Sequence, residues 1–360
     1  MGLAIEQGSF GHAIDLAVKA ADGFNARQRV SRKRGRLRGL GYACFLETAR
    51  GQPNEVAQLV VGEDDHIHIS VGTHSNGQGH ETTYAQISAD ALGLPVELFA
   101  FKQGDTDDLD SGGGHGGARS MHQGGTAVLM AAEGLVANAR KLAARLLQVG
   151  VEEVAYHAGM LRVAATGQEI GLDEVARASY EAASDDIAPG LASKATHLCD
   201  LYTFPNGCHL AEVEIDPETG KVTLDRYVIF DDFGRLLDPR LTLGQVHGGV
   251  VQGIGQALLE QVQYDAGSGQ ILSGSLMDYA LPRADDIPSF EGALTQDFPS
   301  RANRLGVKGS GQAGAIASPA PVMNAVMNAL APLGVTHLDM PATPLRVWEA
   351  IRRGRAGEGG

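Results

Sequence analysis

Three Gly-Gln pairs restrict the possible folds of this chain more than any other feature of its sequence. They begin the segments "GQGHETTYAQISADAL" (from Gly77), "GQVHGGVVQGIGQALL" (from Gly244) and "GQAGAIASPAPVMNAVMNAL" (from Gly311), each at or before the start of an apolar helical pattern. A single pair is explained by the fact that glycine is common at helix boundaries. Glutamine, however, is not a preferred N-cap residue, so three such pairs favour a shared function. Helix N-termini attract anions, and glutamine adds an amide donor and a carbonyl acceptor. The pattern therefore predicts several loops around one large, polar, phosphate-bearing ligand.

The rest of the pattern mixes strands and helices. Strand-like runs are "GYACFLETA", "VAQLVV", "HIHISVG" and the hairpin "LAEVEIDPETGKVTLDRYVIF". Helical periods cover "HETTYAQISADALGL", the long "TAVLMAAEGLVANARKLAARLLQ", and residues at about 245–262 and 319–331. The stretch from Val151 to Ala183 indicates a hairpin and a helix. We expect an α+β fold of mixed α/β lobes, with Gly-rich loops at helix N-termini.

Charge excludes some partners. The formal net charge of −14 disfavours nucleic acid, because an acidic protein gains nothing by displacing phosphate counterions. The exception is "RQRVSRKRGRLR", residues 27–38, which could dock an acidic partner. A solvated linker is favoured there, since blocks of like charge usually stay in water.

The three cysteines and the apolar runs bear on location. Cys44, Cys199 and Cys208 form no CxxC, which argues against a disulfide framework and against a cysteine-ligated iron-sulfur or zinc site. A reducing, cytoplasmic location is expected. No apolar run reaches the length of a membrane span, and the first residues lack the pattern of a signal peptide.

Several motif matches fail on their context. Gly309, Gly311 and Gly314 have the spacing G-x-G-x-x-G, but a polar, Arg-rich stretch precedes them where a nucleotide-binding Rossmann fold needs a buried strand. The acidic loop "GDTDDLDSGGGHGG" lacks the third ligand and the final glutamate of a calcium loop. His66 and His68 share one face of a strand without a third metal ligand. None of these segments is expected to form the site that its motif suggests.

A series of longer motifs resembles a known family. In order along the chain these are "VGTHSNGQGHETTYAQI", "HGGARSMHQGG", "LDPRLTLGQVHGGVVQGIGQALLE", "SGSLMDYALPRADDIP", "LGVKGSGQAGAIASPAPVMNAVMNAL" and "MPATPLRVWEAI". Together they resemble the C-terminal half of the large subunit of the xanthine dehydrogenase, aldehyde oxidase and carbon monoxide dehydrogenase family, the molybdenum hydroxylases. The resemblance implies a fold of the molybdenum cofactor-binding domain type.

The resemblance also implies a set of cofactor-binding residues. The cofactor would be molybdopterin with molybdenum, as the cytosine dinucleotide, and the metal would be held through the pterin dithiolene rather than by a side chain. The residues that match the family's cofactor loops are Gly77, Gln78, Gly79, His80, Thr82, Ala118, Arg119, Ser120, Gln245, Lys308, Gly309 and Gly311. These residues agree with the loops expected from the Gly-Gln pairs.

One position departs from the family pattern. The family places a glutamate, the catalytic base, in the loop K-G-x-G-E, and here that position is Gln312. Two functions stay open at this point: a molybdenum-dependent oxidoreductase acting within a complex, or a catalytically impaired or non-catalytic cofactor-binding or assembly subunit. An incomplete gene product, unstable without the missing half, is a third reading.

The resemblance further implies partners and domain boundaries. The partners would be a chain with the first half of the large subunit, iron-sulfur and FAD subunits, and a small-molecule substrate. We expect a lead helix and basic linker over residues 1–38, a two-lobed cofactor-binding domain over 39–352, and a flexible tail over 353–360. A small helix-hairpin lobe is expected around residues 151–185.

Overall fold

The computed structural model describes residues 4–6, 8, 10–181 and 190–357 of the 360-residue chain. Its α-helices are α1 (Phe10–Ala20), α2 (Phe24–Lys33), α3 (His80–Leu92), α4 (Thr126–Leu147), α5 (Leu172–Glu181), α6 (Pro239–Leu258), α7 (Ala313–Ala317), α8 (Pro319–Leu330) and α9 (Pro344–Gly357). Its strands are β1 (Leu37–Leu46), β2 (Asn54–Val61), β3 (Ile67–Val71), β4 (Phe99–Lys102), β5 (Val154–His157), β6 (Met160–Val163), β7 (Glu169–Gly171), β8 (Ala192–Leu198), β9 (Asn206–Ile215), β10 (Val222–Asp232) and β11 (Phe290–Thr295). The predicted α+β class is confirmed.

The first sheet has the strand order β1-β9-β10-β11, in which β10 and β11 are parallel and the other pairs antiparallel. Helix α1 lies against β9 and β10, while α8 packs against β1 and β9. Glycines in β1 allow this close packing, because a Cβ on Gly39 or Gly41 would overlap the carbonyl oxygen of Ala325 or Pro321 in α8. Helices α6 to α9 complete the core on this sheet.

The second sheet has the order β4-β3-β2-β8 and carries α3 and α4 on one face. The long apolar period of α4 is almost wholly inside this second core, next to the small sheet β5-β6-β7 and helix α5. Strands β1 to β3 and helices α3 and α4 lie where the sequence pattern predicts them. Part of the predicted helix-hairpin lobe, residues 182–185, lies outside the described residues.

The basic segment is not a solvated linker. Residues 24–33 form α2, and residues 37 and 38 begin β1. The arginines pair with carboxylates of β9 and its turn: Arg27 Nε lies 2.9 Å from Glu212 Oε2, Arg34 Nη2 lies 2.7 Å from Glu214 Oε2, and Arg36 contacts Asp216. The carboxylates at 212, 214 and 216 recur with the two-residue period of a strand. These three arginines therefore have their acidic partners within the chain itself.

Two other boundaries differ from the sequence-based expectation. Helix α6 begins at Pro239 rather than near residue 245, because the side chain of Asp238 accepts hydrogen bonds from the N–H groups of Arg240 and Leu241. Gln245 consequently lies in the second turn of a helix. The predicted tail is helical in α9 as far as Gly357, and residues 358–360 lie outside the described residues. None of the helices among the described residues is both long and apolar enough to cross a bilayer.

Candidate functional site

A cleft of about 350 Å³ lies where the helices of the first sheet meet those of the second. Four segments line it: the start of α3, the loop before α4, the first turns of α6, and the loop before α7. The lining residues are Gln78, His80, Thr83, His115, Gly116, Gly117, Ala118, Ser120, Met121, Leu241, Thr242, Gln245, Lys308, Gly309, Ser310, Gly311 and Gln312. All three Gly-Gln segments therefore contribute to one cleft.

Glycines bring these segments together. A Cβ on Gly79 would lie 2.8 Å from the Leu241 side chain of α6, and one on Gly309 would lie 2.6 Å from the Ala118 carbonyl oxygen. A Cβ on Gly314 of α7 would overlap the backbone of Val246 in α6. At each of these positions a larger residue would force the neighbouring segment to move. The glycines are therefore positions where two segments of backbone approach closely, as the sequence predicts.

Most of the predicted cofactor residues line the cleft, and four do not. Gly77 and Gly79 do not line the cleft but shape the turn before α3, with φ of 104° and 77°, values that favour glycine. Thr82 is exposed on the first turn of α3, whereas the neighbouring Thr83 lines the cleft. Arg119 points away from the cleft into the protein.

The N-terminus of α3 presents His80 to the cleft. His80 is 5% exposed, and its Nδ1 has no hydrogen-bond partner among the described residues. Burial lowers the pKa of His80 to about 4, so its imidazole is neutral at pH 7. The helix is fixed to the neighbouring loop by Tyr84, whose hydroxyl donates to the Ser120 carbonyl oxygen at 2.9 Å.

The loop before α4 is held in an unusual conformation. Ala118 has a φ of 53°, in the left-handed region that alanine rarely adopts. Arg119 is fully buried and paired with the buried Glu55; its Nε also donates to the Gln52 carbonyl oxygen (3.1 Å) and its Nη1 to that of Gly114 (2.7 Å). A π-helical turn over Ser120–Gly125 follows, a feature that is common at functional sites. Arg119 therefore fixes the loop that carries Ala118 and Ser120.

The loop before α7 is anchored at Lys308 and Gly309. The buried Lys308 Nζ lies 2.9 Å from Asp232 Oδ2, and the Lys308 N–H donates to the Phe233 carbonyl oxygen at 2.8 Å. The Gly309 N–H donates to Thr203 Oγ1 at 3.1 Å. Gln312 follows at the mouth of the cleft, exposed, directly before α7. The loop is therefore anchored at Lys308 and exposed to solvent at Gln312.

Sequence reasoning missed part of this site. Leu241 and Thr242 line the cleft because α6 starts early, and the Asp238-Pro239 pair was the available signal. The carboxylates Glu55 and Asp232, which hold Arg119 and Lys308, are remote in sequence and carry no local signal.

The donor set fits a phosphate-bearing heterocycle. Glutamines line the cleft from three segments, glycines of two loops also line it, and His80 has a buried nitrogen without a hydrogen-bond partner among the described residues. Among the described residues that line the cleft there is no carboxylate to repel an anion. Amide groups suit the hydrogen-bonding edges of a pterin or a nucleobase, and loop N–H groups suit phosphate.

Substitution of Gly309 tests whether this close approach is needed. Gly309→Ala is expected to lower the free energy of unfolding by about 1–3 kcal/mol, because the new Cβ would press on Ala118. Gly311→Ala is the matched control, since its Cβ would lie 3.8 Å from Ala118 Cβ, an ordinary contact. Chemical denaturation of both variants measures the difference. Equal stabilities would show that the two loops are not held together at Gly309.

Comparison with known proteins identifies the family. A family model described as "Molybdopterin cofactor-binding domain" matches residues 17–288. The chain belongs to the molybdopterin cofactor-binding domain family. The sequence-based resemblance to the molybdenum-binding half of the molybdenum hydroxylase large subunit is thereby confirmed.

Relatives of this molybdopterin cofactor-binding domain are longer proteins. The chain is 33% identical over 370 residues to the carbon monoxide dehydrogenase large chain of Hydrogenophaga pseudoflava, covering 98% of this chain and 46% of that one. It is 34% identical over 369 residues to the nicotine 6-hydroxylase large subunit of Paenarthrobacter nicotinovorans, with 98% and 45% covered. The chain thus spans about half the length of the curated relatives it matches.

Solved structures show the same fold. Carbon monoxide dehydrogenase from Oligotropha carboxidovorans superposes with a TM-score of 0.86 at 29% identity, covering 99% of this chain and 46% of that chain. Quinoline 2-oxidoreductase from Pseudomonas putida 86 superposes with a TM-score of 0.84 at 30% identity, covering 96% and 46%. The molybdopterin cofactor-binding domain described here therefore has the fold of the corresponding part of these larger chains.

Proposed function

We propose that this chain is the molybdenum-cofactor-binding part of a molybdenum hydroxylase catalytic subunit and acts as an oxidoreductase within a complex. The observation that carries the proposal is the convergence of the three Gly-Gln segments and the loop around Ala118 in one cleft of a molybdopterin-binding domain. The cofactor would be molybdopterin cytosine dinucleotide. Iron-sulfur clusters and FAD would lie on partner chains.

The cleft residues divide into two groups in this proposal. Gln78 and His80 would bind the nucleotide and its phosphates at the helix N-terminus, where Gly77 and Gly79 shape the turn. Ala118, Ser120 and Gln245 would contact the pterin, while Lys308 to Gly311 would lie beside the metal. Arg119 and Thr82 would contribute to the shape of the loops rather than to direct contacts, because neither lines the cleft.

The bound cofactor would supply two-electron oxidation of a carbon centre, with electrons leaving to the partner chains. The chain itself would position the reacting groups. Lys308, fixed by Asp232, would hold the loop that presents Gln312 at the mouth of the cleft. The Gln312 amide can donate and accept hydrogen bonds, but it cannot take up a proton at ordinary pH.

The proposed substrate and partners are based on the names and lengths of the relatives. Their names indicate carbon monoxide and nicotine as substrates, so we propose an aldehyde, an N-heteroaromatic compound, a similar carbon centre or carbon monoxide. The chain spans about half of these relatives, and we propose that the other half of the large subunit completes the substrate pocket.

A second candidate function rests on Gln312. Where the family's base is lost, the chain would be a catalytically impaired or non-catalytic cofactor-binding or assembly subunit. Loss of a positioned general base typically lowers the rate by about 10² to 10⁴. The exposed amide of Gln312 favours this candidate over an enzyme that uses the family's base.

Chemical analysis of the protein purified with its partner chains tests the proposal. Pterin and CMP in equal amounts after acid hydrolysis would support the dinucleotide. Pterin without CMP would show that the cofactor is not the cytosine dinucleotide form. The absence of pterin would overturn the proposed function. Bleaching of the visible absorption of the partner chains by an oxidisable candidate substrate, which would donate electrons to them, would then separate an active enzyme from a non-catalytic subunit.

A further inference from the structure

Two of the three cysteines face each other on neighbouring strands of the first sheet. Cys44 in β1 is the register partner of Cys208 in β9, and the two strands are antiparallel. Both are free thiols, and Cys44 is exposed whereas Cys208 is fully buried. The Cys44 side chain is a hydrogen-bond neighbour of the Cys208 thiol, which brings the two sulfur atoms together. This pair exists only in the folded chain, because the two residues lie far apart in sequence.

The backbone hydrogen bonds between the two segments identify the type of this pair. Ala49 and Thr203, beyond the ends of β1 and β9, exchange both of their N–H···O=C bonds at 2.9 Å. Hydrogen-bonded and non-hydrogen-bonded pairs alternate along an antiparallel ladder. Cys44 and Cys208 follow in the same register, an odd number of positions away. They therefore form a non-hydrogen-bonded pair.

The outer edge of β1 supports this assignment. The Leu40 N–H donates to Asn328 Oδ1 in α8 at 3.0 Å rather than to β9. The Tyr42 carbonyl oxygen likewise accepts from Asn324 Nδ2 in α8 at 3.1 Å. Backbone groups of the even-numbered residues of β1 thus point away from β9, as a non-hydrogen-bonded pair requires.

The geometry of such a pair suits a disulfide. Directly opposite Cα atoms in a non-hydrogen-bonded pair are about 4.5 Å apart, with their side chains close together. Disulfides join Cα atoms that are about 4.4–6.8 Å apart. Cys44 and Cys208 can therefore be joined by a bond between their sulfur atoms while the two strands keep their register.

The two thiols differ in access and in proton affinity. Helix α1 covers Cys208, which packs with Ala13 and Ala17 in a small apolar cluster. Burial raises the pKa of the Cys208 thiol well above its usual range, and the contact with Cys44 acts in the same direction. A cysteine reacts as the thiolate and only where a reagent reaches it. Cys44 is therefore the thiol that an oxidant in solution meets, and Cys208 is its buried neighbour.

We propose that Cys44 and Cys208 form a hydroperoxide-responsive pair, in which the exposed Cys44 is modified and Cys208 closes a reversible disulfide. The Cys44 sulfur attacks the hydroperoxide, so that an S–O bond forms and the O–O bond breaks. Cys44 becomes a sulfenic acid, and the thiol proton leaves with the alcohol, or with water where the oxidant is hydrogen peroxide. The Cys208 sulfur then attacks Cys44, the S–S bond forms, and hydroxide leaves with the Cys208 proton as water.

The electron balance needs no group from the cleft. The two thiols lose two electrons, which the hydroperoxide accepts as its O–O bond breaks. The second step is slowed by the protonation of Cys208 but helped by the contact between the two sulfurs, which makes the step intramolecular. Thiol reductants would restore the free thiols, because a disulfide with one exposed sulfur is of the labile kind. The pair is independent of the proposed function.

Peptide mapping of the full chain, purified with its partner chains, tests the proposal. After hydrogen peroxide, a cross-linked peptide that contains Cys44 and Cys208 is expected under non-reducing conditions, and dithiothreitol should remove it. Dimedone, which traps sulfenic acids, should label Cys44 when it is added together with the peroxide. Cys199 is the internal control, because its Sγ donates to the Ala302 carbonyl oxygen at 3.3 Å instead of meeting a cysteine. It should stay outside the cross-link.

Three variants separate the roles of the cysteines. Cys44→Ser should lose both the cross-link and the dimedone label. Cys208→Ser should lose the cross-link but carry more dimedone on Cys44, since the sulfenic acid is no longer consumed. Cys199→Ser should keep the cross-link of the wild type. Should the buried serine at position 208 prevent folding, Cys208→Ala makes the same test with a small apolar residue in the apolar cluster.

Thermal stability gives a readout that does not depend on labelling. A disulfide that closes a long loop restricts the unfolded chain, so peroxide should raise the temperature at which this chain becomes sensitive to protease. The rise should be absent in Cys44→Ser and retained in Cys199→Ser. Three results would overturn the proposal: no change at Cys44, a Cys44 oxidised beyond the sulfenic acid while Cys208 stays reduced, or a cross-link through Cys199.

Discussion

Replacement of Arg119 by methionine is expected to lower the free energy of unfolding by about 3–5 kcal/mol. Arg119 and Glu55 are both fully buried, and the guanidinium also satisfies the carbonyl oxygens of Gln52 and Gly114. The substitution leaves the Glu55 carboxylate buried without its counter-charge and releases the loop that carries Ala118. Denaturant melts of the full chain measure the loss, and a fall in bound molybdenum should accompany it.

Arg304→Met is the matched control for this prediction. Arg304 pairs with Glu133 at 2.6 Å, but both side chains are about half exposed. Exposed ion pairs contribute about 0–1 kcal/mol, so the control should remain close to wild type. A loss of similar size in both variants would contradict the assigned role of Arg119.

Substitution Gln312→Glu is expected to raise turnover by about 10² to 10⁴, measured in the assembled complex with an artificial electron acceptor. The change restores a group that can accept a proton at the position of the family's base, and the exposed site at the mouth of the cleft accommodates it. Gln245→Glu is the control, because it adds the same charge to the cleft from α6. No gain is expected from that variant.

A fall in turnover for Gln312→Glu would show that glutamine has a role of its own. The cleft would then work without a proton-accepting group at position 312. The second candidate function, an impaired or non-catalytic subunit, would lose the observation that favours it.

The regular elements were predictable because their signals are local. Strand alternation located β1 to β3, and the long apolar period located α4. The convergence of the Gly-Gln segments on one cleft was also predictable, because a glycine required at a close approach is visible at its own position in the sequence. The shared ligand stays a prediction. The start of α6 had a local signal too, in Asp238 and Pro239, which outweighs the glycine at 244 as a helix boundary.

What could not be predicted depends on residues that are distant in sequence. The arginines of residues 27–38 looked solvated because their carboxylate partners lie some 180 positions later, in β9. Lys308 and Asp232 lie 76 positions apart and meet only in the folded chain.

The molybdenum content of the protein purified with its partner chains shows whether the cleft holds a molybdenum cofactor. Wild type is expected to contain stoichiometric molybdenum. Gln245→Trp, which fills the cleft from α6, should lose it, whereas Leu243→Trp, on the same helix but outside the cleft, should retain it. Absence of molybdenum from the wild type, or its retention in Gln245→Trp, would contradict the claim.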